Sequence, residues 1–432
     1  MDPLRRNAVK VLTQFDQEMA QLKSLRDNYC KKHNIGGKDR QRLTAVTNDV
    51  IRWRGRLDLW IKGSLNKPNR KLQPELKNIL RLGIYEVVMD NKIPAYAAVN
   101  AYVEIAKKTL GTGQGKMTNA ILRKAGGFDN SSNPDKSTLY KWHSYPSWLW
   151  EKWIKQFGHK KIILLANYFN ETPKVDIRRN TNQLSHEDLE EFCNENNIKI
   201  KKWDNSEIFY KVTHNLAGLR NLIVTGLIRV QDRAAGMVVE YLKPLPGETI
   251  LDVCGAPGTK ATYISEVLNG KGNLYVSDIN AARLEKYETQ FKNINLDIKD
   301  ATKDDFPKAD AILIDAPCSG TGVIGKKPDI RWRRSLNEIY EFVKIQSKIL
   351  NHMSQFLKPG GRIIYTTCSI EQEENWGVVD AFLKLNDNYC IDKETIDIPN
   401  SWLDERGAMA PFPPISKTDG MFAVKLVNGI EK

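Results

Sequence analysis

Two cysteines in the C-terminal half of this 432-residue sequence each follow a short apolar run. Cys318 lies three residues after Asp315, which follows the run Ile312–Ile314, and Cys368 directly follows the run 362–367. In an open α/β sheet, a buried strand that carries an acid and a thiol to its carboxyl end can build an active site. A thiolate beside a carboxylate is suited to attack on an electron-poor ring. The alternative is that both cysteines only fill the core, as cysteines often do.

A glycine-containing loop lies upstream of both cysteines, between the strand-like run Thr249–Val253 and a helical pattern. Its seven residues are Cys254, Gly255, Ala256, Pro257, Gly258, Thr259 and Lys260. Glycines allow a tight turn there, and the following helix presents unpaired N–H groups to an anionic group. The loop has neither the G-x-G-x-x-G spacing of dinucleotide sites nor the spacing of a P-loop. S-adenosylmethionine fits the loop better, and a turn with a purely structural role is the alternative.

Two acids downstream of this loop are candidates for the rest of the cofactor site. Asp278 ends the next strand-like run and lies 20 residues after Gly258. That is the spacing at which a carboxylate binds ribose hydroxyls in doubly wound folds. Asp300 follows a further short strand-like stretch and could reach the adenine end. A solvated loop acid is the equal alternative for Asp300.

These elements belong to the last of three predicted domains. Apolar residues at helical spacing predict an all-helical domain over 1–130, and short strands mixed with a helix predict a small α/β connecting subdomain over 140–230. Over 231–432, strand-like runs at 249–253, 274–277, 311–314 and 362–366 alternate with helix patterns at 260–268, 281–292 and 336–357. This alternation predicts an α/β fold with a parallel, doubly wound sheet.

The net charge of +13 is concentrated in the predicted helical part. Residues 1–150 carry 27 Lys and Arg against 13 Asp and Glu, whereas residues 151–432 carry 38 against 39. A basic excess confined to one third of the chain is the electrostatic footprint of a module that neutralises phosphates. A basic face that serves only solubility is the alternative. Arg178 and Arg179 could also hold phosphates or simply face solvent, and the tryptophans between 142 and 153 favour a packed core over an exposed stacking platform.

The cysteine pattern and the hydropathy narrow the class of protein. The six cysteines include no C-x-x-C pair and the six histidines are scattered, so we expect neither a metal site nor a disulfide framework. No apolar run approaches the ~18 residues of a membrane span. The N-terminus lacks the apolar segment of a signal peptide. We therefore expect a cytoplasmic protein with reduced thiols and no membrane partner.

Taken together, these motifs resemble the Sun/nucleolar-protein family of RNA cytosine-5 methyltransferases. The segments that carry the resemblance are Cys254–Lys260, Asp278, Asp315–Gly322, Pro328–Trp332, Thr367–Ser369, Glu373–Asn375 and Asp419–Phe422. The front third is similar to the NusB-like RNA-binding domain through Arg81–Tyr85 and Asn119–Arg123. The loop departs from the family pattern at Thr259, where a glycine is usual, and at Gly255, where an alanine is usual.

The resemblance implies a Rossmann-like domain that uses S-adenosylmethionine to methylate a cytosine in 16S ribosomal RNA. It implies that the cofactor contacts the loop Cys254–Lys260 together with Asp278, Asp300 and Asp315. The target cytosine would be unpaired or flipped out of its stack, because C6 must reach a thiol. We expect no DNA substrate and favour a monomer. A tRNA methyltransferase, or a non-catalytic RNA-binding assembly factor, is the alternative.

The same resemblance assigns roles to four catalytic candidates. Cys368 would add to C6 of the cytosine, which makes C5 nucleophilic enough to take a methyl group. Asp315 would bind the N3 and exocyclic amine side of the base, and Cys318 would assist release of the product. Lys260 would orient the pyrimidine or serve only the structure. A rival assignment makes Cys318 the attacking thiol, because Pro317-Cys318 matches the motif of DNA cytosine-5 methyltransferases.

Overall fold

The computed structural model describes residues 2–90, 93–130, 134–284, 294–392 and 398–429. Helices dominate up to residue 171, and helices and strands alternate after it. In chain order the helices are α1 (Pro3–Glu18), α2 (Leu22–Lys32), α3 (Gly37–Arg52), α4 (Arg54–Ser64), α5 (Pro74–Val88), α6 (Ala95–Leu110), α7 (Thr112–Ala125), α8 (Leu139–Trp142), α9 (Ser147–Asn170), α10 (His186–Glu195), α11 (Arg220–Thr225), α12 (Arg233–Leu242), α13 (Thr259–Leu268), α14 (Ala281–Leu284), α15 (Ile330–Arg333), α16 (Leu336–Ser354), α17 (Trp376–Leu385) and α18 (Pro413–Ser416).

The strands form two sheets. In chain order they are β1 (Val175–Arg179), β2 (Lys199–Lys202), β3 (Phe209–His214), β4 (Ile228–Val230), β5 (Thr249–Val253), β6 (Asn273–Asp278), β7 (Ile294–Ile298), β8 (Ala309–Asp315), β9 (Leu357–Thr367), β10 (Tyr389–Ile391) and β11 (Phe422–Asn428). The smaller sheet has the order β2-β3-β1-β4 and the larger one the order β10-β11-β9-β8-β5-β6-β7.

The first helices form where apolar residues recur at helical spacing. Val9, Leu12 and Phe15 of α1 are buried in the helical core, and Asp2 caps this helix by accepting a hydrogen bond from the Leu4 amide. The helical pattern over 40–60 is divided between α3 and α4. At the break, Gly55 lies so close to the backbone of 141–144 that a Cβ would come within 2.8 Å of a carbonyl oxygen.

The helical unit extends further along the chain than the predicted domain 1–130. Contacts divide the chain into two compact units, and the first contains residues up to Glu171 together with the segment 324–334. The cause is aromatic packing: Trp142 of α8 lies edge-on to Trp60 with ring centres 6.0 Å apart, and Trp153 of α9 packs at 5.5 Å from Tyr145. The structure thus supports the interpretation of these tryptophans as core residues and moves 140–171 out of the predicted connecting subdomain.

The segment 324–334 is fixed in the helical unit by a buried arginine. Arg331 is fully buried, donates hydrogen bonds to the Ser144 carbonyl at 3.2 Å and to Asn170 Oδ1 at 2.8 Å, and stacks on the Tyr145 ring. Burial lowers the pKa of Arg331 to about 10. No local pattern in the sequence indicates that this short segment leaves the α/β part of the chain.

The second unit contains the small sheet and the large one. The small sheet is antiparallel, and α10 begins after Ser185, whose hydroxyl accepts from the Asp188 amide. Arg178 on β1 is fully buried: it forms an ion pair with Glu266 of α13, and its guanidinium lies 4.3 Å from the Tyr263 ring centre. Both predictions for Arg178, a phosphate ligand or a solvated side chain, are therefore wrong, because its charge is neutralised inside the unit.

The large sheet differs from the all-parallel prediction. Strands β9, β8, β5, β6 and β7 run parallel. Strand β11 pairs antiparallel with β9, and β10 pairs antiparallel with β11. The four predicted strand-like runs became β5, β6, β8 and β9, all of which lie mostly buried. The edge strand β7 is largely exposed and corresponds to the short strand-like stretch predicted before Asp300. The predicted helix 281–292 begins as α14, and its remainder lies outside the described residues.

Among the helices formed by the described residues, none is both long enough and apolar enough to cross a lipid bilayer.

Candidate active site

The candidate residues lie at the carboxyl ends of four adjacent strands. β5 ends at Val253, β6 at Asp278, β8 at Asp315 and β9 at Thr367. The sheet order places β8 on one side of β5 and β6 on the other, so the chain reverses direction across the sheet between β5 and β8. Ligands of open α/β sheets bind in the crevice at such a switch point. The glycine loop after β5 and the cysteine loop after β8 flank it.

Lys260 and Asp315 form an ion pair in this crevice. Nζ of Lys260, in the first turn of α13, lies 2.8 Å from Oδ2 of Asp315. Burial opposes the charge on Lys260, but the Asp315 carboxylate outweighs it and raises the pKa of the ammonium above its ordinary value. The lysine therefore stays protonated at neutral pH, and the pair holds a transferable proton beside the cysteine loops.

The two cysteines are brought into contact although they lie on different loops. The sulfur atoms of Cys318 and Cys368 are 3.2 Å apart. The hydrogen bond to Cys368 and burial together raise the pKa of Cys318 well above its ordinary value. Cys318 is thus a thiol at neutral pH and is placed to donate to a thiolate at Cys368. Both cysteines are only partly buried, and Cys368 packs against the apolar core of this unit.

A buried glutamate ties the two cysteine loops together. Glu374 is fully buried, and its Oε1 accepts from the Ser319 amide at 2.7 Å and from Gln346 Nε2 at 3.0 Å. Its Oε2 accepts from the hydroxyls of Ser319 and Ser369, both at 2.5 Å. These serines directly follow Cys318 and Cys368. In the sequence, Glu374 stands out only within Glu373–Asn375, one of the segments that carry the family resemblance. Its place 55 residues after Ser319 carries no signal of this contact.

The glycine loop is shaped by its neighbours. Cys254 has a positive φ of 59° and Gly258 one of 78°, which the glycine adopts without strain. A Cβ on Gly255 would come within 2.9 Å of Val276 and 3.0 Å of the Asp252 carboxyl group. This close approach explains a glycine where alanine is usual. Burial and the surrounding carboxylates raise the pKa of Cys254, so this third cysteine is a neutral thiol and no nucleophile.

Asp278 is oriented by the same loop. Its Oδ2 accepts from the Ala256 amide at 3.3 Å and pairs with Arg283 at 3.1 Å, while Oδ1 accepts from the Asn280 amide at 2.9 Å. Its carboxylate is 3% exposed at the end of β6 and keeps acceptor capacity for hydroxyl groups. The predicted ribose role therefore remains compatible with the position of Asp278.

Asp300 lies at the same edge, two residues after β7. Its Oδ1 accepts from the amide and hydroxyl of Thr302 at 2.9 and 2.7 Å, and these bonds lower its pKa. Its Oδ2 lies 3.7 Å from Lys303. The carboxylate thus stabilises its own turn, and a contact with adenine stays a prediction.

Asp252 is a functional candidate that the sequence analysis missed. This residue on β5 is fully buried, and neither carboxylate oxygen has a hydrogen-bond partner among the described residues. Burial, reinforced by the negative charge of Asp315, raises the pKa of Asp252 to about 8. A buried carboxyl group without a partner is costly and calls for a cationic ligand. The only signal in the sequence was an acid inside the apolar run Thr249–Val253.

These groups fit S-adenosylmethionine, which carries an ammonium, a sulfonium and a ribose. The orphaned Asp252 carboxyl suits a cationic group, and Asp278 suits the ribose hydroxyls. The cofactor's carboxylate would meet the amides at the start of α13, since no described side chain caps that helix.

Comparison with known proteins agrees with this site. The family model described as 16S rRNA methyltransferase RsmB/F matches residues 239–427, and the NusB family model matches residues 2–126. The ribosomal RNA small subunit methyltransferase B of Photorhabdus laumondii is 31% identical over 413 residues, which cover 92% of both chains. The chain belongs to this methyltransferase family. A probable ribosomal RNA small subunit methyltransferase B of Synechocystis is 28% identical over 93% of this chain and 94% of its own.

Solved structures support the fold. The crystal structure of PH0851 is 24% identical, covers 99% of both chains and superposes with a TM-score of 0.80. NSun6 from Pyrococcus horikoshii, solved with SFG, is 20% identical, covers 67% of this chain and all of its own, and has a TM-score of 0.61. Family membership confirms the NusB-like helical domain, the Rossmann-like methyltransferase domain and S-adenosylmethionine as cofactor.

Proposed function

We propose that the protein methylates C5 of a cytosine in 16S ribosomal RNA through a covalent adduct between Cys368 and C6. The observation that carries the proposal is the contact of two sulfur atoms, 3.2 Å apart, at the strand edge that also holds the Lys260–Asp315 ion pair. A plain methyl transfer to a strong nucleophile needs no thiol at all. Methylation of cytosine at C5 does need a thiol, because C5 is a poor nucleophile until a sulfur atom has added to C6.

The first step is attack by Cys368. The sulfur forms a bond to C6, the C5–C6 π electrons move onto C5 and the ring nitrogen, and the exocyclic amine side gains negative charge. Cys368 loses its proton to solvent before attack, and Cys318, which keeps its own proton, stabilises the resulting thiolate by a hydrogen bond. This division of roles favours Cys368 over Cys318 as nucleophile, since the pKa of Cys318 is raised.

The ion pair serves the other side of the base. The Asp315 carboxylate accepts from the exocyclic amine, and the proton shared with Lys260 stabilises charge at N3 as the adduct forms. When bound, S-adenosylmethionine supplies the electrophilic methyl group. Loss of the C5 proton to solvent then re-forms the C5–C6 double bond and breaks the bond from C6 to Cys368. The sulfur leaves as a thiolate, and the Cys318 thiol stabilises it by a hydrogen bond while keeping its own proton.

The RNA must present an unstacked base. A cytosine inside a duplex cannot bring C6 to a thiol that lies partly buried in a crevice, so the target is unpaired or flipped out. We place this activity in the cytoplasm, in agreement with six free cysteines. A tRNA target is the alternative substrate.

Bisulfite sequencing of RNA from cells with and without this protein tests the proposal. We expect one or more 16S cytosines to lose protection from deamination when the protein is absent. Purified protein should restore protection in vitro only with added S-adenosylmethionine. A normal 16S profile with a changed tRNA profile would move the substrate to tRNA, and no change in either RNA would overturn the proposal.

A further inference from the structure

A groove with a volume of about 570 Å³ opens on the helical unit. It is formed by α4, by the connection from α4 to α5, by the chain around α8 and by Trp332. Its volume lies within the range of pockets that take small ligands. Leu59, Leu65 and Leu72 give it an apolar lining, and each is only partly buried.

Two aromatic side chains stand in this lining. Trp332 is held in place because its indole N–H donates to the Ile51 carbonyl at 2.8 Å and its ring packs against the Arg54 guanidinium. Tyr140 is partly exposed, and the Lys141 ammonium lies 5.3 Å from the centre of its ring. Aromatic faces beside cations are the features on which single-stranded nucleic acids stack their bases.

The groove is strongly basic. Its lining contains the five basic residues Lys62, Arg70, Lys71, Lys77 and Lys141 and one acid, Asp58. Asp58 is already neutralised, because Arg81 donates to both of its oxygens at 2.7 and 2.9 Å and Lys77 pairs with it at 3.0 Å. Burial disfavours its charge, yet these cations hold the pKa of Asp58 below its ordinary value. Four cations therefore remain without an acidic partner among the described residues.

A second groove of the same volume on the helical unit provides the contrast. It is lined by Arg5, Lys38 and Arg42 but also by the three acids Asp49, Glu86 and Asp90. Its charge is balanced, so it offers no net attraction to a polyanion. The difference lies in the charge around each groove and not in its size.

The basic groove is not formed only by the residues that match the NusB family model. That match ends at residue 126, whereas Tyr140, Lys141 and Trp332 come from beyond it. Trp332 reaches the groove within the segment 324–334, which the matched methyltransferase region contributes to the helical unit. The groove therefore depends on both parts of the chain being present.

We propose that this groove binds an unpaired nucleotide of the substrate RNA, with its base against Tyr140 and Trp332 and its flanking phosphates on Lys62, Lys71 and Lys141. An acidic peptide would satisfy the cations, but it would leave the two aromatic faces without a stacking partner. The inference rests on the proposed function only in taking RNA as the substrate. It adds where on the helical unit the RNA is held.

The test uses the full-length protein and a fluorescent single-stranded RNA oligonucleotide. The double variant K62A/K71A should bind this RNA at least about tenfold more weakly. The matched control K38A/R42A removes two exposed charges from the balanced groove and should stay within about twofold of the wild type. Thermal melting of both variants should be unchanged, because these four side chains are exposed. Equal losses in the two variants would overturn the proposal.

A second variant separates stacking from charge. Tyr140→Leu should weaken single-stranded RNA binding about fivefold or more and leave binding of an RNA duplex unchanged. If poly-glutamate binds as tightly as RNA and K62A/K71A weakens both to the same extent, the groove is a site for acidic peptides instead. Groove-dependent RNA binding without any cytosine methylation would refute the proposed function alone. Methylation with an unchanged KM in K62A/K71A would refute the groove alone.

Discussion

The active-site crevice and the basic groove use charge in opposite ways. In the crevice, Lys260 and Asp315 are paired at 2.8 Å and Asp252 is sealed from solvent, so each charge acts on its immediate neighbours. In the groove, Lys62 and Lys71 are exposed and carry no acidic partner among the described residues. Buried pairs are weakly screened by salt and set protonation states, whereas exposed cations are screened and act on a polyanion at longer range. Chemistry and recognition are thereby assigned to two different sites.

Removing the nucleophile should give the largest effect. Cys368→Ser replaces the thiol by a hydroxyl that is not ionised at neutral pH, so we expect methylation to fall by roughly 10⁴-fold or more. RNA affinity should not change, because the groove is untouched. Transfer of labelled methyl groups to 16S RNA, with the RNA Kd measured in parallel, checks both parts. Turnover by the serine variant close to the wild-type rate would end the thiol mechanism.

Glu374→Gln should disturb the alignment of the two cysteine loops. The amide replaces one of two acceptor oxygens with a donor, which then faces the Ser319 and Ser369 donors. We expect kcat to fall by about 10²-fold through misplacement of the sulfur atoms, with KM for RNA nearly unchanged. The neighbouring Glu373→Gln is the control and should keep most of the activity. A variant that loses RNA affinity in place of kcat would contradict a positioning role.

Salt should distinguish the two regions. The slope of log Kd for RNA against log salt should become shallower by roughly one unit for each groove lysine removed. The rate of methyl transfer at saturating RNA should vary little with salt, because Lys260 is buried and directly paired with the partly buried Asp315. Titrations at several salt concentrations for wild type and K62A/K71A measure this. Identical slopes in the two proteins would show that the RNA is held elsewhere.

Substitution of Asp252 should give the smallest effect, a change in how thermal stability depends on pH. Burial raises its pKa to about 8 when folded, against about 3.9 in an unfolded chain. Between roughly pH 4 and 8 the folded state therefore holds a proton that the unfolded state has lost, and stability falls as the pH rises through this window. Asp252→Asn removes this loss, so its Tm advantage over the wild type should grow by a few degrees from pH 5 to pH 8.

The same variant tests the cofactor site without measuring activity. Above pH 8, where Asp252 is ionised, S-adenosylmethionine should raise the Tm of Asp252→Asn less than that of the wild type, because the amide carries no charge for a cationic group. Asp380→Asn, at an exposed ion pair with Arg406, is the control and should respond to the cofactor like the wild type. A Tm difference for Asp252→Asn that is constant with pH would contradict the raised pKa.

Much of the α/β part could be predicted because burial imposes a simple pattern on its inner strands. β5, β6, β8 and β9 are apolar runs that end in Val253, Asp278, Asp315 and Thr367, so the candidate site followed from where these runs stop. The edge strand β7 is largely exposed and lacks a continuous apolar run, so the sequence indicated it only as a short strand-like stretch before Asp300. Spacing also placed the glycine loop correctly, because a tight turn needs particular residues locally.

Contacts between distant parts of the chain could not be predicted. The link from Glu374 to Ser319, the burial of Asp252 without a partner and the fixing of Arg331 in the helical unit depend on tertiary packing. No short sequence pattern predicts these features. Glu374 and Arg331 bind residues that are far away in the sequence, and Asp252 has no hydrogen-bond partner among the described residues. The domain prediction failed at 140–171 for the same reason: aromatic packing, and not composition, assigns that stretch to the helical unit.

Trapping the protein–RNA adduct tests the central claim most directly. Cys318→Ala should still attack cytosine through Cys368 but release the product slowly, so a complex that survives denaturing gel electrophoresis should accumulate with RNA and S-adenosylmethionine. The double variant C318A/C368S should form none. A stable adduct in Cys368→Ser, together with its absence in Cys318→Ala, would show that Cys318 is the attacking thiol and would contradict this account.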